Sequence, residues 1–181
     1  MSVHFPGTVI ERQGRSSREF LFGMFTVTKG LMLSQVREIT GLDATTIQNW
    51  INRGWVKNPV DKRYTQDHLA GILIIHMLRD VMKMESIAKL MTYLKSDQQP
   101  VVSEAQLYHY VCDILDIISY DVILSEEELV NMINQTLLDY KEPFLGAKAE
   151  LVNVLHIILI YYAAAIVKHK GDIIFQQILT T

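Results

Sequence analysis

Apolar residues recur at helical spacing along most of the chain, and the clearest pattern lies in residues 34–69. The middle of this stretch predicts an amphipathic helix whose apolar stripe consists of Ile47, Trp50 and Ile51. Asp43 stands where its carboxylate can cap the N-terminus of that helix. Gly41 can end a preceding helix because glycine tolerates a positive φ after the last turn. The pattern therefore predicts two short helices joined by a tight turn.

The face of the second helix opposite to the apolar stripe is polar. It carries Thr45, Thr46, Gln48, Asn49, Asn52 and Arg53. Most of these short side chains both donate and accept hydrogen bonds, so they can pair with base edges and phosphate oxygens in a DNA major groove. An ordinary solvated helix face has the same composition. The N-cap, the turn glycine, and the apolar and polar faces of the second helix all fit the same arrangement of two helices. This agreement favours a helix-turn-helix.

A short basic segment comes next, residues 57–63, which we call the basic loop. Pro59 suits an edge or a turn because it has no backbone N–H to donate. Such a segment can serve as a wing that lies along the phosphates, where lysine and arginine add affinity but little choice of sequence. Tyr64 is expected to pack beneath the loop, and Thr65 to cap the next helix.

The order of these elements resembles the N-terminal domain of the MerR (mercury-resistance) regulators. ITGLDATTIQNWINRGWV stands where that family has its two helices, KRYTQDHL where it has the wing exit, and MESIAKLM where it has its fourth helix. The family commonly has an Arg-Tyr pair at the positions of Gln48 and Asn49, and its wing is usually longer, with a glycine. TGLDATTIQNWINRGW, with KRY and ILIIHMLRD, is still more similar to a family of bacterial proteins catalogued only as a domain of unknown function.

The resemblance to MerR regulators implies a winged helix-turn-helix that binds double-stranded DNA. By position, the implied readers of bases or phosphates are Thr45, Thr46, Gln48 and Asn49. The implied phosphate contacts are Arg53, Lys57, Lys62 and Arg63, and Asn52 and Tyr64 complete the set. The resemblance to the uncharacterised family implies no activity.

The remaining pattern is helical, so the predicted fold class is mainly all-α. We divide the chain into an N-terminal arm and short helix (1–30), a winged helix-turn-helix domain (31–95), a linker (96–102) and a helical dimerisation or effector domain (103–181). The arm is expected to be irregular and solvated, and Gly30 to end its helix. In the last domain, residues 151–167 are apolar nearly all round, with Gly171 as a C-cap. A buried bundle helix or a dimer-interface helix explains this segment better than a membrane span, because Asn153 and His156 interrupt it.

The distribution of charge along the chain bears on whether the protein can bind nucleic acid. The chain of 181 residues has a net charge of −3, which by itself argues against nucleic acid. However, residues 1–95 contain 13 Lys and Arg against 8 Asp and Glu, whereas residues 96–181 contain 4 against 12. The basic half contains the predicted helix-turn-helix, and the acidic half should face away from phosphate.

The sequence contains no set of residues that predicts catalysis. It has no P-loop, GxGxxG, GxSxG or HExxH motif. His109 and Cys112 share a helix face and could bind a soft metal only if a second copy supplied further ligands, so we expect no metal, no cofactor and no enzymatic activity. With one cysteine no intrachain disulfide can form, and the N-terminus lacks the pattern of a signal peptide, so we expect a cytoplasmic protein.

These observations predict a homodimeric, sequence-specific DNA-binding transcriptional regulator. Dimerisation is expected because one small module makes few specific contacts and two copies read two half-sites. The C-terminal helices would form the dimer and could hold a small-molecule effector. The alternative is a protein-interaction module that keeps the helix-turn-helix fold without binding DNA.

Overall fold

The computed structural model describes residues 4–26, 28–95, 99–118 and 125–179. Within these ranges the chain is mainly helical, which confirms the predicted fold class. The helices are α1 (Ser17–Phe25), α2 (Leu33–Thr40), α3 (Ala44–Asn52), α4 (Gln66–Leu78), α5 (Met84–Tyr93), α6 (Glu104–Ile117), α7 (Glu126–Thr136) and α8 (Ala147–Leu179).

Side-chain caps set several helix starts, and those of Asp43 and Thr65 are as predicted. Asp43, Thr65, Ser103 and Ser125 each accept a hydrogen bond from a backbone N–H in the first turn of the adjoining helix. α1 ends at Phe25, several residues before Gly30, so the predicted end of this helix was wrong.

Helix α4 lies at the centre of the molecule. Its buried residues are Leu69, Ala70, Gly71, Ile72, Leu73, Ile74, Ile75, Met77 and Leu78. It makes its most extensive contacts with α6 and also contacts α1, α2, α5 and α8. The buried apolar residues form one continuous cluster that runs from Phe5 to Leu159. The N-terminal and C-terminal halves of the chain therefore share one core.

The segment that joins the halves is packed rather than open. The predicted linker was 96–102; residues 96–98 lie outside the described part of the chain, but Val101 and Val102 are buried. The Val101 N–H donates to the carbonyl of Leu94 (2.9 Å), and its carbonyl accepts from the Tyr140 hydroxyl (2.6 Å). These bonds hold the start of α6 against α5 and α7.

The N-terminal arm is folded, which corrects the expectation of a solvated arm. Phe5 is 1% exposed and its ring stacks on Phe20 with 4.1 Å between centroids. Arg12 is also buried, where it pairs with Asp116 of α6. The Tyr108 hydroxyl of α6 donates to the carbonyl of Pro6 (2.8 Å). The arm thus closes the core over α4 and α6, because it supplies an aromatic side chain and partners for buried polar groups.

Helix α8 is longer than predicted. It continues without a break through Gly171, where the sequence predicted a C-cap, and the Lys168 ammonium pairs with the Asp172 carboxylate across this glycine (2.7 Å). A glycine inside a helix costs only about 1 kcal/mol, which flanking residues can offset. The buried positions of α8 end at Leu159, and residues 167–179 are exposed on every side.

By length and composition alone, α8 is apolar enough to cross a membrane. Only part of the segment is enclosed by this chain, since 28% of its most apolar window is buried. Its first half packs against α4, α6 and α7 as a bundle helix does, which matches one of the two interpretations preferred from the sequence.

His76, His109 and Cys112 make contacts that belong to the packing of the fold. His76 places Nδ1 3.0 Å from the carbonyl oxygen of Gly7, and His109 places Nδ1 3.1 Å from Oγ of Ser17. Cys112 is fully buried, and burial raises the pKa of its thiol to about 12. Since a metal needs a thiolate from cysteine, this environment does not favour the soft-metal alternative.

Replacing Phe5 with alanine tests whether the arm is part of the core. We expect Phe5→Ala to lower the free energy of unfolding by about 3–5 kcal/mol, because it empties a buried aromatic site. Val9→Ala is the matched control, since Val9 lies in the same arm and is 55% exposed. Urea denaturation measures both. Equal, small losses for the two variants would show that the arm is dispensable.

The half-buried His76 should make stability depend on pH. Burial, followed by the nearby Arg79, lowers the pKa of His76 below its ordinary value, while the Gly7 carbonyl acts in the opposite direction. The unfolded chain therefore takes up the proton first, so stability is complete above about pH 6.5 and falls as the pH drops through the folded-state pKa. Asparagine at this position keeps a donor for Gly7 but does not titrate. We expect His76→Asn to lose less stability than the parent chain between pH 7 and pH 5 in urea titrations, and parallel losses would contradict this.

Candidate nucleic-acid interface

Helices α2 and α3 form the first part of the candidate interface. α2 ends at Gly41, which has a φ of 71°, and its N–H donates to the carbonyl of Arg37 (2.8 Å). α3 begins directly after Asp43. The predicted apolar stripe, Ile47, Trp50 and Ile51, is buried. The tight turn between the two helices, with both of its caps, is therefore as predicted.

The outer face of α3 presents an exposed row of polar side chains. Thr45, Gln48, Asn49 and Asn52 are all exposed and lie at positions i, i+3, i+4 and i+7 of the helix. The amide of Gln48 donates to the side-chain oxygen of Asn52 (3.2 Å), which orients both groups along the helix. These side chains can offer both donors and acceptors to a ligand in front of α3.

Thr46 differs from its neighbours. It is half-buried, and its hydroxyl donates to the Asp43 carboxylate (2.7 Å). That hydroxyl, followed by the Thr46 backbone N–H, lowers the pKa of the Asp43 carboxyl. Thr46 therefore helps to start α3, and its polar atoms are already occupied.

The basic loop follows α3 in the chain and ends in a tight hairpin. Asp61 and Lys62 both have positive φ angles (49° and 58°), and the Arg63 N–H donates to the carbonyl of Val60 (2.8 Å). Two adjacent residues with positive φ are typical of a type I′ turn. Lys62 and Arg63 are exposed, and the Arg63 guanidinium also donates to the carbonyl of Gly30 (3.3 Å).

Tyr64 anchors the base of this loop. Its N–H and carbonyl each pair with Leu31 at 2.8 Å, in the residues just before α2. The Tyr64 side chain is 2% exposed and packs in the core. This position agrees with the expectation that it packs beneath the loop, and it removes Tyr64 from the exposed surface. A Cβ atom on Gly30 would lie 2.9 Å from that of Arg63, so only glycine permits this close approach.

Two further residues contact the loop, and neither was recognised from the sequence. The His68 Nδ1 accepts from the Thr65 N–H (3.1 Å), so its Nε2 carries the proton that is donated to the carbonyl of Asn58 (3.2 Å). The Glu104 carboxylate of α6 lies 3.9 Å from the Lys57 ammonium and 3.1 Å from that of Lys95. Lys57 therefore leans towards the acidic half, although its side chain is 64% exposed.

The arginine at the end of α3 is held by an aromatic ring. Arg53 is the C-cap residue of α3, and its guanidinium lies 5.1 Å from the ring centroid of Trp55. This contact leaves Arg53 exposed, at the end of α3 that leads into the basic loop.

Helix α6 pairs with some of the N-terminal basic residues. Arg12 pairs with Asp116, Arg18 with Asp113 (3.4 Å) and Lys57 with Glu104, and all three acidic residues belong to α6. Lys62, Arg63 and Arg53 have no acidic partner among the ion pairs of the described residues. Positive charge therefore remains available at the end of α3 and on the basic loop, as it does at other exposed cations of the N-terminal half such as Arg37 and Lys83.

The comparisons with known proteins match part of the chain. Residues 26–111 match the family model described as Domain of unknown function (DUF1836). No curated protein and no solved structure matches the chain. The matched range runs from before α2 into α6 and so continues across residues 96–102, where we had expected a domain boundary. Residues 26–111 are therefore similar to an uncharacterised domain, and they comprise the polar face of α3, the basic loop and the first half of α6.

Proposed function

We propose that the protein is a sequence-specific DNA-binding transcriptional regulator that acts as a homodimer. The observation that carries the proposal is the exposed polar row of α3, which is followed in the chain by an exposed basic hairpin. A short helix that comes after a tight turn and presents such a row can enter a major groove. The basic hairpin would act as the wing of a MerR-like winged helix-turn-helix.

We assign the proposed DNA contacts by the exposure of each side chain and by the bonds that its polar atoms already make within the chain. Thr45, Gln48, Asn49 and Asn52 would read base edges, because they are exposed and lie on one face. Lys62, Arg63 and Arg53 would contact phosphates, and Lys57 could join them by leaving Glu104. Thr46 would support Asp43 at the helix start rather than read bases, and Tyr64 would hold the loop from below.

No cofactor or catalytic step is part of this proposal. A regulator of this kind works by placing two recognition helices on one duplex, in a cytoplasmic setting. The C-terminal helices would hold the two copies together and could admit an effector.

Selection from random duplex DNA tests the central proposal. We expect the purified protein to enrich an inverted repeat at two salt concentrations, because two symmetric copies read two half-sites. Weak binding that enriches no sequence and disappears with salt would leave only general attraction to phosphate. The protein-interaction module would then become the better interpretation.

The turn residue Lys62 allows its charge to be removed without strain. Glycine adopts the positive φ of this position readily, so Lys62→Gly should keep the hairpin. We expect weaker binding to all sequences and a salt slope (log affinity against log salt) smaller by about 1. Lys141→Ala, an exposed change in the acidic half, is the matched control and should bind like the parent chain. Equal effects of the two variants would contradict the role of the loop.

Asn49 should contribute to sequence choice rather than to general affinity. We expect Asn49→Ala to lose about 1–3 kcal/mol on the preferred site and to accept other bases at one position of each half-site. Asn134→Ala on α7 is the control for the loss of an exposed asparagine. Selection and sequencing with each variant measures the preference. An unchanged preference for Asn49→Ala would exclude this residue as a base reader.

A further inference from the structure

The outer face of α8 carries an unpartnered apolar seam. It consists of Ile157, Ile160, Ala164, Val167, Gly171, Ile174 and Ile178. These residues succeed one another at alternating steps of three and four over most of the seam, which is the repeat of a helix that pairs with another helix. Ile160, Val167, Ile174 and Ile178 are 51%, 69%, 60% and 68% exposed. The seam faces away from the buried stripe of α8, so the described part of this chain provides nothing to cover it.

We propose that a second copy of this chain covers the seam, with the two α8 helices antiparallel. The order of side-chain sizes along the seam is the same from either end: two isoleucines, a small residue, Val167, a small residue and two isoleucines. A twofold axis beside Val167 therefore places Ala164 against Gly171 and Ile160 against Ile174 of the second copy. Such self-complementarity is what an isologous dimer requires.

The charged residues favour a helix partner over a membrane span. Lys168, Lys170 and Asp172 lie in the middle of the exposed part of α8, but each falls to the side of the seam. A flanking position leaves them in water when a helix covers the seam. A bilayer that this helix spanned would enclose them in hydrocarbon, which is unfavourable for charged side chains.

The same charges are compatible with the antiparallel direction. In the antiparallel pair, Lys170 faces Ala163 of the second copy. Lys168 lies opposite Lys168 of the second copy near the axis, where its bond to Asp172 (2.7 Å) reduces the repulsion between the two ammonium groups.

Interface area also requires the antiparallel arrangement. The seam is roughly 32 Å long and about 10 Å wide, on the order of 300 Å², which is short of the roughly 800 Å² per partner of a standard interface. At the base of α8 the seam continues into a groove of about 580 Å³ between α5 and α8, lined by Leu90, Tyr93 and Asn153 among others. Only an antiparallel pair brings Phe175 and Ile178 of the second copy to this groove, where Tyr93 is 53% exposed.

This inference rests on the proposed function in one respect, since it names the interface that a two-site regulator needs. It is tested without DNA, so the two can fail separately. A dimer that binds no DNA would leave the interface correct and the function wrong. Sequence-specific DNA binding by a chain that stays monomeric would leave the function correct and the interface wrong.

Sedimentation equilibrium of the full chain tests the interface. We expect a dimer, and we expect Ile174→Asp to raise its dissociation constant by roughly 100-fold or more, because both copies carry the change. Ile173→Asp is the matched control: it is the neighbouring, 46% exposed isoleucine of the same helix but lies off the seam. Circular dichroism confirms that both variants fold. A monomeric parent chain, or equal effects of the two variants, would overturn the proposal.

Cross-linking of introduced cysteines tests the direction. Chains with Ala164→Cys mixed with chains with Gly171→Cys should form a disulfide between them, whereas Gly171→Cys alone should not. A disulfide in Gly171→Cys alone would show a parallel pair and overturn the proposed arrangement.

Flotation with vesicles of phosphatidylcholine and phosphatidylglycerol tests lipid as the occupant. Flotation of the parent chain that Ile174→Asp abolishes would overturn the proposal in favour of a membrane surface.

Discussion

Burial of α4 on all sides is the constraint on which the rest of the molecule depends. Nine of its 13 residues are buried, so the helix can exist in water only when other elements cover every face. The arm, α1, α2, α5, α6 and α8 supply that cover. Because Thr65 caps α4 and Tyr64 pairs with Leu31, the central helix also fixes where the basic loop leaves the core. The orientation of the candidate interface is thus set from inside the molecule.

Local signals in the sequence predicted the helix starts and the polar face of α3 well. A cap such as Asp43 acts on amides within one turn, and an apolar stripe needs only the helical repeat, so both can be recognised within a few residues. The burial of Tyr64 beneath the loop was recognisable for the same reason, since it lies between the turn of the loop and the cap of α4.

Contacts between distant residues could not be predicted in this way. Arg12 looked like a solvated charge because Asp116 lies more than a hundred residues further along the chain. The carboxylate of Asp67 caps α6 by accepting from the Ala105 N–H (2.9 Å), and no short-range pattern connects these two residues. Gly171 failed as a helix end because a C-cap depends on the residues after it, and here an ion pair bridges the glycine. The sequence therefore located the candidate site but not the elements that hold it.

Full burial of Cys112 has a practical consequence for studies of this protein in solution. Because the attacking species is the thiolate, a thiol with a pKa of about 12 inside the core is almost inert while the chain is folded. It becomes reactive when α6 leaves the core that it shares with α4 and the arm. Cys112 can therefore serve as a native reporter of opening. The rate at which a soluble thiol reagent modifies Cys112 measures how often the central bundle opens. Since α6 also carries Glu104, the same reporter monitors the helix that pairs with Lys57 at the start of the basic loop.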